Sequence, residues 1–311
     1  MTALDFEKPV AEIETRLAEL RRDLPNAPEI GRLEARVERA RRDLFGKLTP
    51  IQRTQIARHP ERPHFEDYVR LLIEDFTPLS GDRVFGEDAA IVGGPGRWRG
   101  RPVMLIGHEK GRDTAGRVAH NFGMARPEGY RKAARLMELA GRMGLPLVTL
   151  VDTAGAFPGI EAEQRGQAEA IARATEACLT VPVSFVSVIV GEGGSGGAIA
   201  IAAANTVLML EHAVYSVISP EGGASILFKT RDKAADMAAA FKLTAPDLLG
   251  MGLIDGIVPE PLGGAHRDVE TAAKAVGDAV AAALARMDGV SGAELRERRR
   301  AKFAAMGGIS H

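Results

Sequence analysis

Only one cysteine, Cys178, occurs in the 311 residues. The chain alone therefore forms no intrachain disulfide and no cysteine-rich zinc site, and Cys178 reads as a small buried hydrophobe. Net charge is almost absent: 40 Lys and Arg face 41 Asp and Glu, leaving −1. That removes the broad basic field of a general nucleic-acid binder, so any basic patch is local. The opening MTALDFEKPV has no basic stretch followed by an apolar core, so no secretory signal is read. The longest apolar run, Gly196 to Leu210, is broken by Asn205 and falls short of the ~20 residues of a membrane span. A cytoplasmic location is expected. No glycine loop is followed by Gly-Lys-Ser or Gly-Lys-Thr, so a P-loop is missing.

Helical periodicity is present at the start. Val10, Ile13, Leu17 and Leu20, then Ile30, Leu33, Val37, Ala40 and Leu44, keep three- and four-residue spacings. They predict two amphipathic helices separated by Leu24 to Pro28, with a stripe that must pack on this chain or on a partner. A further helix is expected around Tyr68 to Phe76. Beyond Asp88, short apolar runs rich in β-branched residues predict strands at 102–107, 146–151, 182–190, 206–210 and 214–218. Helical patterns lie between or after them at 127–143, 162–178, 197–204 and 234–243. The order strand, glycine-rich loop, helix recurs from Pro146 and from Pro182, which predicts an α/β layout. The Arg296 to Arg300 run reads as a solvated helix end.

Two loops carry the chemistry: DTAGAFPG, Asp152 to Gly159, and GEGGSGG, Gly191 to Gly197. Loops at the carboxyl ends of neighbouring parallel strands lie side by side, so both are expected at one cleft. The second loop spells three motifs. Gly193, Ser195 and Gly197 match the G-x-S-x-G nucleophile elbow, with Asp255 and His266 following in hydrolase order. Gly191, Gly193 and Gly196 match G-x-G-x-x-G, with the acid Glu211 further on, although the helix between Gly196 and Asn205 is short for a dinucleotide fold. In the third reading no side chain reacts: the amides of Gly196 and Gly197 are the orphan donors of a helix start and hold an oxyanion.

These loops and their neighbours resemble the carboxyltransferase alpha-subunit family of bacterial acetyl-coenzyme A carboxylases. The likeness is carried by IGHEKGRDT (106–114), NFGMARPEGYRKAARLM (121–137), DTAGAFPG, EAEQRGQAEAIAR (161–173), VIVGEGGSGGAIAI, YSVISPEGGASIL (215–227), IDGIVPEPLGGAHR (254–267) and IARHPERP (56–63). It implies an α/β fold of the ClpP/crotonase type, a superhelix of ββα turns with an N-terminal helical hairpin. The expected layout is a hairpin at 1–48, a crotonase-like carboxyltransferase domain at 49–290 and a charged tail at 291–311. It also implies transfer of a carboxyl group from carboxybiotin, borne on a biotin carboxyl carrier protein, to acetyl-coenzyme A, giving malonyl-coenzyme A. The partners it implies are a zinc-bearing beta subunit in an α2β2 assembly and biotin carboxylase in the larger complex, with no metal on this chain.

On that resemblance Gly196 and Gly197 stabilise the charge that develops on the biotin ureido oxygen, with Gly155, Ala156 and Phe157 opposite. Gly193, Gly194, Lys110, Arg112, Arg165, Glu221 and Gly222 are the expected substrate-binding residues, and Arg126 is a further basic candidate. The sequence departs from the family pattern at Ala154, where proline is expected, at Phe157 for tyrosine, at Gly223 for cysteine or alanine, and at Ala125 for proline. None of these removes a backbone donor. The alternatives are a biotin-dependent carboxylase for another acyl-coenzyme A, a serine hydrolase built on Ser195, and a scaffold subunit without chemistry.

Overall fold

The computed structural model describes residues 2–307. The N-terminal hairpin consists of α1 (Lys8–Asp23) and α2 (Glu29–Phe45). Val10 and Leu17 of α1 and Val37 of α2 are buried, so the expected stripe does pack. Part of its anchor is electrostatic, and it lies within this chain. Arg267 pairs with Glu7 at 3.1 Å and Glu14 at 3.2 Å, while Arg41 reaches Glu14 at 2.7 Å. Next comes α3 (Pro50–Ala57), whose start is fixed by Thr49 and Gln52: the Thr49 amide donates to Gln52 Oε1 at 2.8 Å.

The body follows in the order α4 (Phe65–Leu72), β1 (Ile73–Glu74), β2 (Ile91–Trp98), β3 (Arg101–His108), α5 (Thr114–Ala119), α6 (Pro127–Met143), β4 (Leu147–Thr153), α7 (Ile160–Gln164), α8 (Gln167–Thr180), β5 (Phe185–Gly194) and α9 (Ser195–Ala202). Then come β6 (Thr206–Leu210), β7 (Val214–Ser216), α10 (Pro220–Phe228), α11 (Ala234–Phe241), α12 (Ala245–Gly250), β8 (Gly256–Val258), α13 (Val269–Ala285) and α14 (Gly292–Ala305). The sheet order is β1-β2-β3-β4-β5-β6-β8. β1 to β3 pair antiparallel, and the rest of the sheet is parallel. β5 serves two neighbours: Val186–Ile189 lie along β6, whereas Glu192–Gly194 lie along β7. That change of partner follows an irregularity in the pairing with β4 between Val151 and Thr153, and it sets up the site.

Three of the five expected strands occupy nearly their expected positions, whereas the third starts at Phe185 and runs on to Gly194, and the fifth stops at Ser216. β1, β2 and β8 are not among the expected strands. β2 is spelled IVGGPGRW, whose glycines and proline argue against a strand. The glycines are there because neighbours approach closely: a Cβ on Gly94 would stand 1.9 Å from the Thr77 carbonyl oxygen. The helix expected at 162–178 is broken at Arg165 and Gly166, where Gly166 takes φ +80°. The helix expected around Tyr68 to Phe76 lies earlier, at Phe65–Leu72.

The charged tail expected at 291–311 is corrected over its described part, residues 308–311 lying outside the described residues. α14 packs on the body, with Leu295 buried and Arg299 at 0% exposed. Arg299 is therefore no solvated helix end, because carbonyls at and beyond the end of α8 take up its guanidinium. Among the described residues no helix is long and apolar enough to cross a membrane.

Candidate active site

The glycine run Gly191 to Gly194, expected as loop, is the carboxyl end of β5. The chain leaves it through a single left-handed residue, Ser195 at φ +54°, and enters α9 at once. No side chain caps that helix. The first-turn amides of Gly196 and Gly197 have no acceptor within their own helix, with Gly196 half-buried and Gly197 buried, whereas the Ser195 amide follows the β5–β7 ladder that ends at Gly194 and Ser216.

The two loops do face one another, as expected, and they meet backbone to backbone. A Cβ on Gly194 would stand 2.2 Å from the Ala154 carbonyl oxygen, and one on Gly197 would stand 2.7 Å from the Gly155 carbonyl carbon and 2.8 Å from the Ala156 nitrogen. No other residue fits at either position without separating the loops. Gly193 lies beneath the Tyr215 ring.

The facing loop offers fewer donors than expected. The Phe157 amide donates to the Ala125 carbonyl at 3.0 Å, and the Gly155 amide to Thr153 Oγ1 at 3.1 Å. Both are occupied in holding the loop's own shape, so as free donors they are withdrawn. The amide of Ala156 has no acceptor among the described residues. Gln167 reinforces the loop by donating from Nε2 to the carbonyls of Ala125 at 2.9 Å and Phe157 at 3.0 Å. Arg126 lies over the Phe157 ring, 4.5 Å from its centroid.

Beside this junction is a buried polar cluster that sequence reasoning missed. Asp152 is the penultimate residue of the all-buried strand β4, and its Oδ1 accepts the Glu192 amide at 2.8 Å and the Lys110 ammonium at 2.6 Å. Burial by itself would raise the Asp152 pKa, but the Lys110 ammonium holds the carboxyl well below the usual carboxylate range. Gly191 makes room for it, since a Cβ there would come within 2.4 Å of Asp152 Oδ1. His108, at the end of β3, is buried against the same group, and desolvation pushes its pKa down to about 4, so it is neutral at pH 7. Arg58 reaches Glu192 at 2.6 Å and Glu221 at 2.8 Å. Arg62, 2% exposed, donates to the Val190 carbonyl at 2.7 Å and forks onto Glu260 at 2.7 and 2.9 Å, tying the 58–64 segment to β5. The density of Arg, His and Glu in IARHPERP and an acid directly after an apolar strand were the signals available for this cluster.

The remaining expected residues are scattered. Lys110 joins the cluster, but Arg112 is exposed and pairs with Asp67. Arg165 pairs with Glu128 at 2.7 Å and stacks over Phe85 at 4.8 Å. Glu221 is held by Arg58, and the Gly222 amide donates to Ser219 Oγ at 3.0 Å, capping α10. The hydrolase triad does not assemble. Asp255 accepts the Val207 amide at 2.6 Å and pairs with Lys302, and His266 stacks on His59 with ring centroids 3.9 Å apart. Among the described residues Ser195 Oγ has no hydrogen-bond partner. Glu211, the acid of the dinucleotide reading, accepts the Glu260 amide at 3.3 Å. Glu7, His59 and His266 bring one possible metal ligand each within 4.8 Å of one another. Two of the three are otherwise engaged: Glu7 with Arg267 and the Leu4 amide, His59 with the Thr2 carbonyl and the Glu61 amide.

Comparison with known proteins fits this architecture. A model of the family described as acetyl co-enzyme A carboxylase carboxyltransferase-like matches residues 3–307. The acetyl-coenzyme A carboxylase carboxyl transferase subunit alpha of Methylobacterium nodulans is 63% identical over 310 residues, spanning 98% of each chain. That of Zymomonas mobilis is 62% identical over 309 residues, spanning 98% of this chain and 99% of its own. Transcarboxylase 12S, solved with methylmalonyl-coenzyme A and methylmalonic acid bound, superposes with a TM-score of 0.56 at 21% identity, over 68% of this chain and 41% of that one. A Pseudomonas malonate decarboxylase hetero-tetramer in complex with coenzyme A gives 0.57 at 19% identity, over 71% and 90%. These likenesses bear out the crotonase-like fold.

Proposed function

The chain belongs to the acetyl co-enzyme A carboxylase carboxyltransferase-like family, and from that premise we propose how its glycine segments take part in the reaction. It is an alpha subunit of a heteromeric transferase that moves a carboxyl group onto acetyl-coenzyme A, forming malonyl-coenzyme A for fatty acid synthesis. We place it in the cytoplasm, with a zinc-bearing beta subunit in an α2β2 assembly, fed by a biotin carboxyl carrier protein and biotin carboxylase.

One observation carries the site assignment. Gly194 and Gly197 touch Ala154, Gly155 and Ala156 through backbone alone, and the helix that starts there has no side-chain cap. Carboxybiotin, when bound, supplies the carboxyl group and a ureido oxygen on which negative charge collects. The Gly196 and Gly197 amides donate toward that charge, aided by the positive end of α9 and by the free Ala156 amide. Rigid backbone donors need no reorganisation as charge develops, and removal of one such donor typically costs about 10²-fold to 10³-fold in rate. Phe157, with Arg126 over its ring, and Gln167 hold the facing loop in place. Asp152 and Lys110 fix the strand ends from behind.

Co-purified with a beta-type partner and given malonyl-coenzyme A and biotin or biocytin, the chain should support decarboxylation well above either subunit alone. A rate no higher than the separate subunits would reject the reading. Ser195→Ala should lose only a modest part of that rate, whereas a nucleophilic serine would lose all of it.

A further inference from the structure

Beside the glycine junction lies a cleft of 220 Å³ that shares Asp152 and Ala154 with the first loop. Its other walls include Arg58, His64, Lys110, Arg117 and Glu192. Two of its three cations are matched by its own acids, Lys110 by Asp152 and Arg58 by Glu192. Arg117 is not: it makes a single bond, 3.3 Å long, to the Pro60 carbonyl, and pairs with no carboxylate among the described residues.

His64 is 6% exposed, yet neither ring nitrogen has a hydrogen-bond partner. Its closest carboxylate oxygen, Asp152 Oδ2, is 3.8 Å away, beyond hydrogen-bond range. Buried polar groups are almost always bonded, so an unbonded imidazole in a cavity wall calls for a missing partner. Asn121 adds a second buried unbonded donor, Nδ2, in the turn that brings Phe122 to the cleft. That turn is strained. Asn121, Phe122 and Gly123 are left-handed in succession, at φ +46°, +56° and +76°, and the turn presses on Lys110, whose Cγ would lie 2.8 Å from a Gly123 Cβ. Strain of this kind persists where surrounding structure enforces it, and it collects at binding sites.

We propose that this cleft is a binding site for a small oxyanion group, a carboxylate or a phosphate, held by Arg117, Lys110 and His64. A cleft of this volume leaves room for a small dicarboxylate. The carboxyl side of a malonyl group is the source that fits the reaction, and in that respect alone the inference rests on the carboxyltransferase reading. Arg117 supplies the uncompensated charge, and the His64 ring supplies a donor.

The test is calorimetric titration of the full chain with malonate and, separately, with inorganic phosphate, on wild type, Arg117→Met and His64→Gln. Retained thermal unfolding would establish that each variant is folded. Saturable malonate binding is expected, weakened about tenfold or more in each variant. Phosphate binding alone, with the same dependence on both residues, would keep the site and assign it to the phosphate-bearing end of a substrate. No saturation by either anion up to about 20 mM, well above the ~1 mM of weak sites, would overturn the proposal, as would binding that both variants leave unchanged. Decarboxylation by the wild-type complex separates the two readings. An active complex whose alpha chain binds no anion defeats this inference alone, and an inactive complex whose chain binds malonate defeats the functional one.

Discussion

Replacing Arg299 with methionine should loosen the C-terminal helix and lower the melting temperature of the whole chain. Arg299 is fully buried without a carboxylate partner among the described residues. It donates to the carbonyls of Cys178 at 2.5 Å, Val181 at 2.9 Å and Val183 at 2.8 Å, and to Asn205 Oδ1 at 2.6 and 3.2 Å. Two effects oppose each other. Desolvation pushes the guanidinium pKa from 12.5 down to about 10, which at ~1.4 kcal/mol per unit is roughly 3 kcal/mol that methionine would relieve. Methionine also leaves three buried carbonyls without donors, at about 1–3 kcal/mol each, or about 6 kcal/mol together. The net loss is about 3 kcal/mol. With an unfolding entropy of ~2.1 cal/mol/K per residue, a chain of this length should melt about 5 °C lower. Differential scanning calorimetry measures the shift, and limited proteolysis reports early cleavage ahead of α14. An unchanged or raised melting temperature in Arg299→Met would refute the reasoning, showing that desolvation outweighs the carbonyl bonds and that Leu295 and its apolar neighbours hold the helix unaided.

Gly197→Ala should cost about 10²-fold or more in malonyl-coenzyme A decarboxylation by the complex, since its Cβ would stand 2.7 Å from Gly155 and 2.9 Å from the Tyr130 hydroxyl; wild-type rates with this variant would remove the junction from the mechanism. The buried His108, at about 4, makes stability pH-dependent. Its folded pKa lies below its unfolded value of ~6.5, so its share is fully present above pH ~6.5 and is lost as pH falls from there toward 4, by about 2 kcal/mol at pH 5. Urea midpoints at pH 8 and pH 5 should therefore differ less in His108→Gln than in wild type, and equal differences would show that His108 does not carry this term.

The hairpin, most of the strands and α6 were legible because each is announced by its own periodicity or by a proline at its start. β2 was not, since the close approach of Thr77, Leu136 and Ile73 that selects its glycines is a tertiary fact. The same holds for Arg299: a basic run in a helix looks solvated until the carbonyls at the end of α8 arrive from 116 to 121 residues away. The glycine junction was visible as two loops, but the division of its amides into free and occupied was not. Ala125 and Thr153, which take the Phe157 and Gly155 donors, carry no mark of that role in sequence. Asp152 opens DTAGAFPG in sequence, yet in the fold it is the buried acid beside which β5 changes partner.

The G-x-S-x-G spelling is explained by the turn, without a nucleophile. A strand that passes straight into a helix needs one residue in the left-handed region, and here Ser195 takes it at φ +54°. The neighbours must then be small, because Gly194 lies against the Ala154 carbonyl and Gly197 against Gly155. A nucleophile elbow needs the same sharp strand-to-helix turn to expose its serine. The motif therefore reports a backbone shape that two different chemistries can use, and the surroundings decide between them. Among the described residues no histidine bonds Ser195, whereas the Gly196 and Gly197 amides beside it begin a helix and have no acceptor within it. That combination favours stabilising charge on a bound group over attack by a side chain, and it places the decisive evidence in hydrogen bonds that are left unmade.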